Sequence, residues 1–157
     1  MNAPLRLVSI AGEVLERAAL LDPRIKVEPA VIEAWADMFD GQKIWLTEAL
    51  AAVKHHYLKT NPFPIMPGDV VAFCAEQPVY SSRDHAGEFL TVWSREPYSG
   101  VIEAHTGIQP PEIAIPDSLP RDQHRAFLAD HLAAWVEANR ERLVTAILER
   151  RHNAVIQ

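Results

Sequence analysis

The sequence predicts a mainly α-helical protein: a small bundle of about four helices, then a proline-rich connection, then a long C-terminal helix. Three observations support this prediction. Apolar residues recur at the i, i+3, i+4 spacing of a helix face in the first and last parts of the chain. Prolines in the first half stand where helices are expected to start or stop. Residues 78–120, in contrast, hold six of the twelve prolines.

The first predicted helix runs from about Leu5 to Leu21, where apolar side chains line one face. Asp22-Pro23 ends it, because proline disfavours helical geometry in the residue before it. Ile25 to Glu28 is predicted to be a short extended connection.

Three more helices complete the predicted bundle. Pro29 suits the first turn of the second helix, and Gly41 follows its end. The third runs from near Trp45 to Lys59, and Pro67 opens the fourth. The predicted core side chains are Trp35, Phe39, Leu50, Val53, Tyr57 and Val70. Residues 3–77 are therefore interpreted as one helical domain.

Residues 78–120 are predicted to be a linker or a small irregular segment. Glu88–Trp93 and Val101–Ala104 are strand candidates, and together they suggest a short hairpin. A structureless stretch of this length is unusual inside a compact domain. We therefore expect it to separate two units or to wrap around one.

Residues 121–151 are predicted to form an amphipathic C-terminal helix whose apolar stripe is interrupted at Asn139. The stripe suits packing on the first domain or pairing with another copy, which would make a homodimer. The candidate partner-binding residues on this helix are Trp135, Arg140, Arg142, Arg150 and Arg151. The alternative for the arginines is a solvated helix end.

Composition limits the classes of function. The net charge is −6, with 7 basic and 10 acidic residues in 1–77 and 8 and 11 in 78–157, so neither half is basic. Tight DNA binding through overall charge is therefore not expected. Cys74 is the single cysteine, which rules out an intramolecular disulfide and a thiolate cluster. Neither a signal-peptide core nor a membrane-length apolar run is found, so a cytoplasmic location is expected.

Known catalytic motifs do not occur: the sequence has no P-loop, dinucleotide fingerprint, HExxH pair or nucleophile elbow. We assign no catalytic, cofactor-binding or metal-binding residue. His55 and His56 are adjacent on a helix and point about 100° apart, so they do not converge on one ion. A small enzyme built from the dispersed residues His56, Asp69 and Cys74 is an alternative interpretation.

Several motifs between residues 25 and 75 together resemble a known family. In order they are Ile25-Lys26-Val27, Trp35, His56-Tyr57 after helical alanines, Pro62-Phe63-Pro64 and Asp69-Val70. This order resembles the N-terminal helical domain of phage replicative-helicase loader/inhibitor proteins. The resemblance implies a non-enzymatic phage or prophage replication adaptor that binds a DnaB-type hexameric helicase. It would deliver that helicase to single-stranded DNA or to an origin-binding protein.

Two features leave room for other interpretations. The family carries a flexible region after the helical domain, whereas this chain has a strong helical pattern there, so no helicase-binding residue is transferred. Lys54, His55 and Lys59 form the best local basic patch for a nucleic acid or a partner. The alternative function is therefore a phage-derived DNA-binding regulator of transcription or replication.

Overall fold

The structure is a computed structural model that describes the backbone of residues 3–155 and the side chains of residues 3–150. Within these residues it contains eight α-helices, two short 3-10 helices and no strand. The prediction of a mainly helical protein is confirmed. The chain divides into two units, Met1–Gln77 and Pro78–Gln157, and each has its own buried core.

Unit 1 holds four helices. They are α1 (Leu5–Leu21), α2 (Pro29–Phe39), α3 (Leu46–Tyr57) and α4 (Pro67–Ala75). Helix α1 packs on α2 and α3, and α3 packs on α4. Pro29 and Pro67 both lie in the first turn of their helices, where the missing N–H leaves no hydrogen bond unmade.

The core of unit 1 contains most of the residues that the periodicity indicates. Trp35, Phe39, Val53 and Val70 are buried, and Leu50 and Tyr57 are half-buried against the same cluster. The rings of Trp35 and Phe39 meet edge to face, with centroids 6.0 Å apart. Each fully buried large side chain contributes roughly 1.5–3 kcal/mol relative to an exposed one.

The connections of unit 1 lie at opposite ends. The α2–α3 connection lies near the start of α1, and Arg6 of α1 donates a 2.7 Å hydrogen bond to the carbonyl of Ile44 in that connection. Residues 22–28 and residues 58–66, which connect α1 to α2 and α3 to α4, lie together at the other end. We call this end, including the last residues of α1 and α3, the loop end.

Unit 2 is built around its last helix. Its helices are α5 (Arg83–Trp93), α6 (Val101–Thr106), α7 (His124–Ala138) and α8 (Arg140–Val155). Helix α8 packs on α5, α6 and α7. The buried core of unit 2 consists of Ala86, Leu90, Ile102, Leu132, Val136, Leu143, Val144 and Ile147.

The predicted hairpin in residues 78–120 is wrong. Glu88–Trp93 lies inside α5 and Val101–Ala104 lies inside α6. Helix α5 starts at a good cap, since the hydroxyl of Ser82 accepts a 3.1 Å hydrogen bond from the backbone N–H of His85. Leu90 then enters the core at helical spacing. Residues 78–120 are accordingly part of unit 2 and not a linker.

The predicted single C-terminal helix is divided at Asn139. This residue leaves helical geometry, with φ −114° and ψ 14°, and its side-chain amide donates to the carbonyl of Trp135 at 2.8 Å. Asparagine commonly competes with helical hydrogen bonding in this way. Helix α8 packs on α5 and α6, and α7 packs on α5, so both helices lie against the segment that was predicted to be irregular.

Candidate functional site

Asp22 is a buried residue, only 2% exposed, and its carboxylate joins several segments of the loop end. The Arg24 side chain donates to both carboxylate oxygens, at 2.9 and 3.1 Å, and the Tyr57 hydroxyl donates at 2.8 Å. These hydrogen bonds, that of the Arg24 side chain foremost, lower the pKa of Asp22 to about 2. Arg24 also donates to the carbonyl of Pro62 at 2.9 Å. A buried carboxylate therefore ties the end of α1 to α3 and to the α3–α4 connection.

The α3–α4 connection is fixed by the last two residues of α3. A ring nitrogen of His56, Nε2, lies 2.6 Å from the carbonyl oxygen of Phe63. The hydroxyl oxygen of Tyr57 accepts the backbone N–H of Ile65 at 3.2 Å, and the Ile65 side chain is buried. Because both sides of Phe63 are held, the position of its backbone is set before any partner arrives.

Exposed apolar side chains are concentrated at the loop end. Six of the ten large apolar side chains that are exposed among the described residues lie there: Leu20, Leu21, Val27, Leu58, Phe63 and Met66. Phe63 is 85% exposed. Single exposed apolar residues are ordinary, whereas contiguous apolar patches are typical of interaction surfaces.

The loop end carries charges of both signs. Residues 22–28 and 54–69 hold four cations and three carboxylates, namely Arg24, Lys26, Lys54, Lys59, Asp22, Glu28 and Asp69. Arg24 is paired with Asp22, and Asp69 lies in the first turn of α4, directly after the connection. The charge of the loop end therefore does not by itself select a partner.

The predicted basic patch turns out to be of mixed charge. Lys54 and Lys59 are exposed, while the His55 ring packs against Phe73 of α4 with centroids 5.2 Å apart. His55 and Lys59 line a pocket of about 180 Å³, and Asp69 and Glu76 line it too. Carboxylates beside the lysine oppose the approach of a phosphate chain. The geometry therefore favours DNA binding here less than the sequence suggested.

Of the three residues in the alternative interpretation as an enzyme, His56 and Asp69 lie close together. Nδ1 of His56 lies 3.9 Å from a carboxylate oxygen of Asp69, which also accepts the backbone N–H of Met66 at 2.9 Å. Cys74, in contrast, is a core residue whose burial raises its pKa to about 12. A nucleophilic thiol needs the opposite shift. In the part of the chain that the structure describes, no three His, Cys, Asp or Glu side chains form a metal-binding group.

Two of the predicted partner-binding arginines make contacts inside unit 2. Arg140 donates to the carbonyl of Gly87 and to the hydroxyl of Thr91, both at 3.0 Å, which joins α8 to α5. Arg150 donates to the carbonyl of Ala104, which joins α8 to α6. Both side chains thus stabilise the packing of unit 2.

The other three predicted residues of this set differ in their surroundings. Trp135 is half-buried and packs against the core of unit 2, while Arg142 is exposed. The side chain of Arg151 lies outside the described residues. The structure therefore does not bring the four described residues of this set together as one surface.

Unit 2 has a groove that was not predicted from the sequence. Its volume is about 230 Å³, and it is lined by apolar side chains of α6 and α7 and by Pro110, Pro111 and Ile113. Glu96 and Glu103 also line it. Glu96 is paired with Arg125. The prolines of this segment, interpreted as linker residues in the sequence, form one wall of the groove.

Comparisons with known proteins add no family. No protein-family model, curated protein or solved structure matches this chain. Among the described helices, none combines the length and the apolar character that crossing a bilayer requires.

The Asp22 network and the exposure of Phe63 were not predicted from the sequence. The sequence contains one indication of the Asp22 network: Asp22 occupies the position after the apolar stripe of α1 at which a buried residue is expected, and Pro23 follows it. A second indication concerns Phe63, because an aromatic residue between two prolines cannot be part of a regular helix and its apolar face.

Proposed function

We propose that this protein is a non-enzymatic adaptor of phage or prophage DNA replication that binds a DnaB-type hexameric helicase. One observation carries the proposal. His56 and Tyr57, the pair that ends α3 in the resemblance to helicase loaders, are the residues that fix the connection bearing Phe63. A preformed surface with an exposed aromatic residue suits protein binding, because little ordering remains when a partner binds.

The order of elements in unit 1 also supports the proposal. A helix bearing Trp35, a helix ending in His56-Tyr57, a connection with two prolines and a helix with Asp69 in its first turn follow one another. This is the order of the family motifs. The identity of the helicase as partner rests on the resemblance.

The experiment is a binding assay with the replicative helicase of a candidate host. The full chain is passed over immobilised helicase, and the retained protein is eluted and measured by gel electrophoresis. We expect retention of the folded protein. Failure to retain it, with circular dichroism showing a helical sample, would reject a helicase adaptor.

The alternative is a DNA-binding regulator that uses Lys54, His55 and Lys59, and both of these lysines are exposed. Its affinity for duplex DNA would fall steeply with salt, by a slope near 0.9 for each phosphate neutralised. Replacing Lys54 and Lys59 together by Gln would then lower that slope by about 2. Affinity that survives both substitutions would count against this alternative.

A further inference from the structure

We propose that the pocket between α3 and α4 binds the ammonium group of a small aliphatic amine, between Nδ1 of His56 and the carboxylate of Asp69. The pocket has a volume of about 180 Å³, and both of these residues line it. Such a site goes beyond helicase binding and does not depend on it, because it is defined by contacts inside unit 1.

The contact with Phe63 decides which nitrogen of His56 carries a proton. Nε2 lies 2.6 Å from the carbonyl oxygen of Phe63, and a carbonyl oxygen can only accept a hydrogen bond. Nε2 is therefore the protonated nitrogen, and Nδ1 of the neutral ring is an acceptor. Nδ1 is buried, in a residue that is only 6% exposed, and no described residue donates a hydrogen bond to it. A buried acceptor without a donor is destabilising, so this atom favours a ligand that donates.

Asp69 supplies a second acceptor at the same place. Its Oδ2 lies 3.9 Å from Nδ1 of His56. The same oxygen accepts the backbone N–H of Met66 at 2.9 Å, which fixes the carboxylate in the first turn of α4. Two acceptors do not bond to each other, but both can lie about 2.9 Å from one nitrogen placed between them. That nitrogen has to carry at least two hydrogens, as a primary ammonium group does.

The rest of the pocket suits the carbon chain of a short amine. Its apolar lining consists of Ala52, Ala72 and the ring of Phe73. The volume of about 180 Å³ lies below that of pockets for drug-sized ligands, which begin at about 300 Å³. The expected ligand is therefore a short, unbranched amine.

The polar lining disfavours other classes of small ligand. Asp69 and Glu76 line the pocket together with one lysine, Lys59, so an anion would meet two carboxylates and the lone pair of Nδ1. No three His, Cys, Asp or Glu side chains of the described chain form a metal-binding group, whereas a structural metal ion usually takes four ligands. An organic ammonium ion needs only the two acceptors that the pocket provides.

The test observes the ring nitrogen directly. Long-range proton–nitrogen correlation spectra of the full chain, isotope-labelled at histidine, report the Nδ1 resonance of His56, which responds when that nitrogen accepts a hydrogen bond. The probe is n-butylammonium chloride. The matched control is tetramethylammonium chloride, which has the same charge and no N–H group. We expect n-butylammonium to shift the Nδ1 resonance in a saturable way and tetramethylammonium to bind at least about tenfold more weakly.

Three variants separate the carboxylate from general charge. Asp69→Asn should weaken n-butylammonium binding about tenfold, because it keeps an oxygen for the N–H of Met66 but loses the charge-assisted hydrogen bond. Asp37→Asn removes an exposed carboxylate of α2 and should leave the affinity unchanged. Lys59→Met removes a like charge from the pocket and should tighten binding. Circular dichroism checks that each variant is folded.

The source of the ammonium group is tested with Nα-acetyl-lysine amide, which presents the same group as a lysine side chain of a partner protein. We expect it to bind more weakly than n-butylammonium, because the pocket is small. Tighter binding would overturn the assignment to a free amine.

Three other results would overturn the proposed site altogether. They are an Nδ1 resonance that does not move during the titration, equal binding of the two cations, and equal affinities of Asp69→Asn and Asp37→Asn. None of them bears on retention by the helicase, so the site and the helicase function fail separately.

Discussion

The hydroxyl of Tyr57 donates a 2.8 Å hydrogen bond to Asp22, and the same oxygen accepts the backbone N–H of Ile65 at 3.2 Å. One atom therefore joins the end of α1, the end of α3 and the α3–α4 connection. Burial raises the pKa of Tyr57, and the hydrogen bond to Asp22 raises it further. The hydroxyl thus keeps the proton that it donates.

Tyr57→Phe should lower the free energy of unfolding by about 1–3 kcal/mol, because it leaves a buried carboxylate oxygen and a backbone N–H without this partner. Urea denaturation measures the loss, and hydrogen exchange should be faster at the Ile65 amide. Tyr98→Phe is the control, since Tyr98 is 65% exposed. Unchanged exchange at Ile65 would show that the hydroxyl does not hold the connection.

Stability should depend on Asp22 at low pH. Its folded pKa is about 2 against an ordinary 3.8, so the carboxylate binds its proton more weakly in the folded protein. The stabilisation is fully present above the ordinary value and is lost as pH falls through about 2. Asp22→Asn should therefore be less stable than wild type at neutral pH. The difference in stability should shrink below about pH 4, which is the ordinary pKa of an aspartate side chain. A constant difference in melting temperature down to acid pH would contradict this.

The two glycines that flank α6 provide a matched pair of variants. Gly100 and Gly107 have φ of 66° and 72°, but a Cβ on Gly100 meets open space, whereas one on Gly107 lies 3.1 Å from the guanidinium of Arg150. Gly100→Ala should cost about 1–2 kcal/mol from the left-handed conformation alone. Gly107→Ala should cost more, and Arg150→Ala in the same chain should reduce the excess. Equal thermal shifts for both glycine variants would exclude the contact.

Leu143→Ala should destabilise unit 2 by about 2–5 kcal/mol, because the Leu143 side chain, in the first turn of α8, is fully buried in the core of that unit. Thr145→Ala, at an exposed position on the same helix, should stay within about 0.5 kcal/mol of wild type. Near-ultraviolet circular dichroism of the tryptophans during urea unfolding reports the change. Similar midpoints for the two variants would argue against a core around α8.

Cys74 should resist thiol reagents in the folded protein. Its side chain is 1% exposed, and burial raises its pKa to about 12. A reagent therefore cannot reach the sulfur, and the reactive thiolate does not form near neutral pH. Labelling with a chromogenic disulfide should be slow without urea and rapid with it. Fast labelling of the native protein would revive an interpretation in which this thiol reacts.

The helices of unit 1 were predictable because their signals are local. An apolar stripe ended by Asp22-Pro23 predicted α1, and Pro29 and Pro67 marked two further starts. Residues 88–93 were misread because a short run with Phe, Val and Trp suits a strand as well as a helix. The cap at Ser82 and packing on α8 decide between them.

The loop end was not predictable in the same way. Asp22 and Tyr57 are 35 positions apart, and no periodicity relates them. The exposure of Phe63 likewise depends on the tertiary bonds of its backbone. Lys54, His55 and Lys59 were predicted as a basic patch. That Asp69 and Glu76 line the same pocket as His55 and Lys59 depends on how α4 packs on α3, which the sequence pattern does not show.

The dependence of unit 2 on α8 has a consequence for biosynthesis. Each unit is continuous in sequence, so the four helices of unit 1 are complete once the ribosome has passed Gln77. Leu143, Val144 and Ile147, in contrast, are among the last core residues to be translated. Until they emerge, Leu90, Ile102 and Val136 lack their main apolar partners and form a nascent stretch that chaperones would recognise. Pausing of translation or premature termination within α8 should therefore harm the second unit and spare the first.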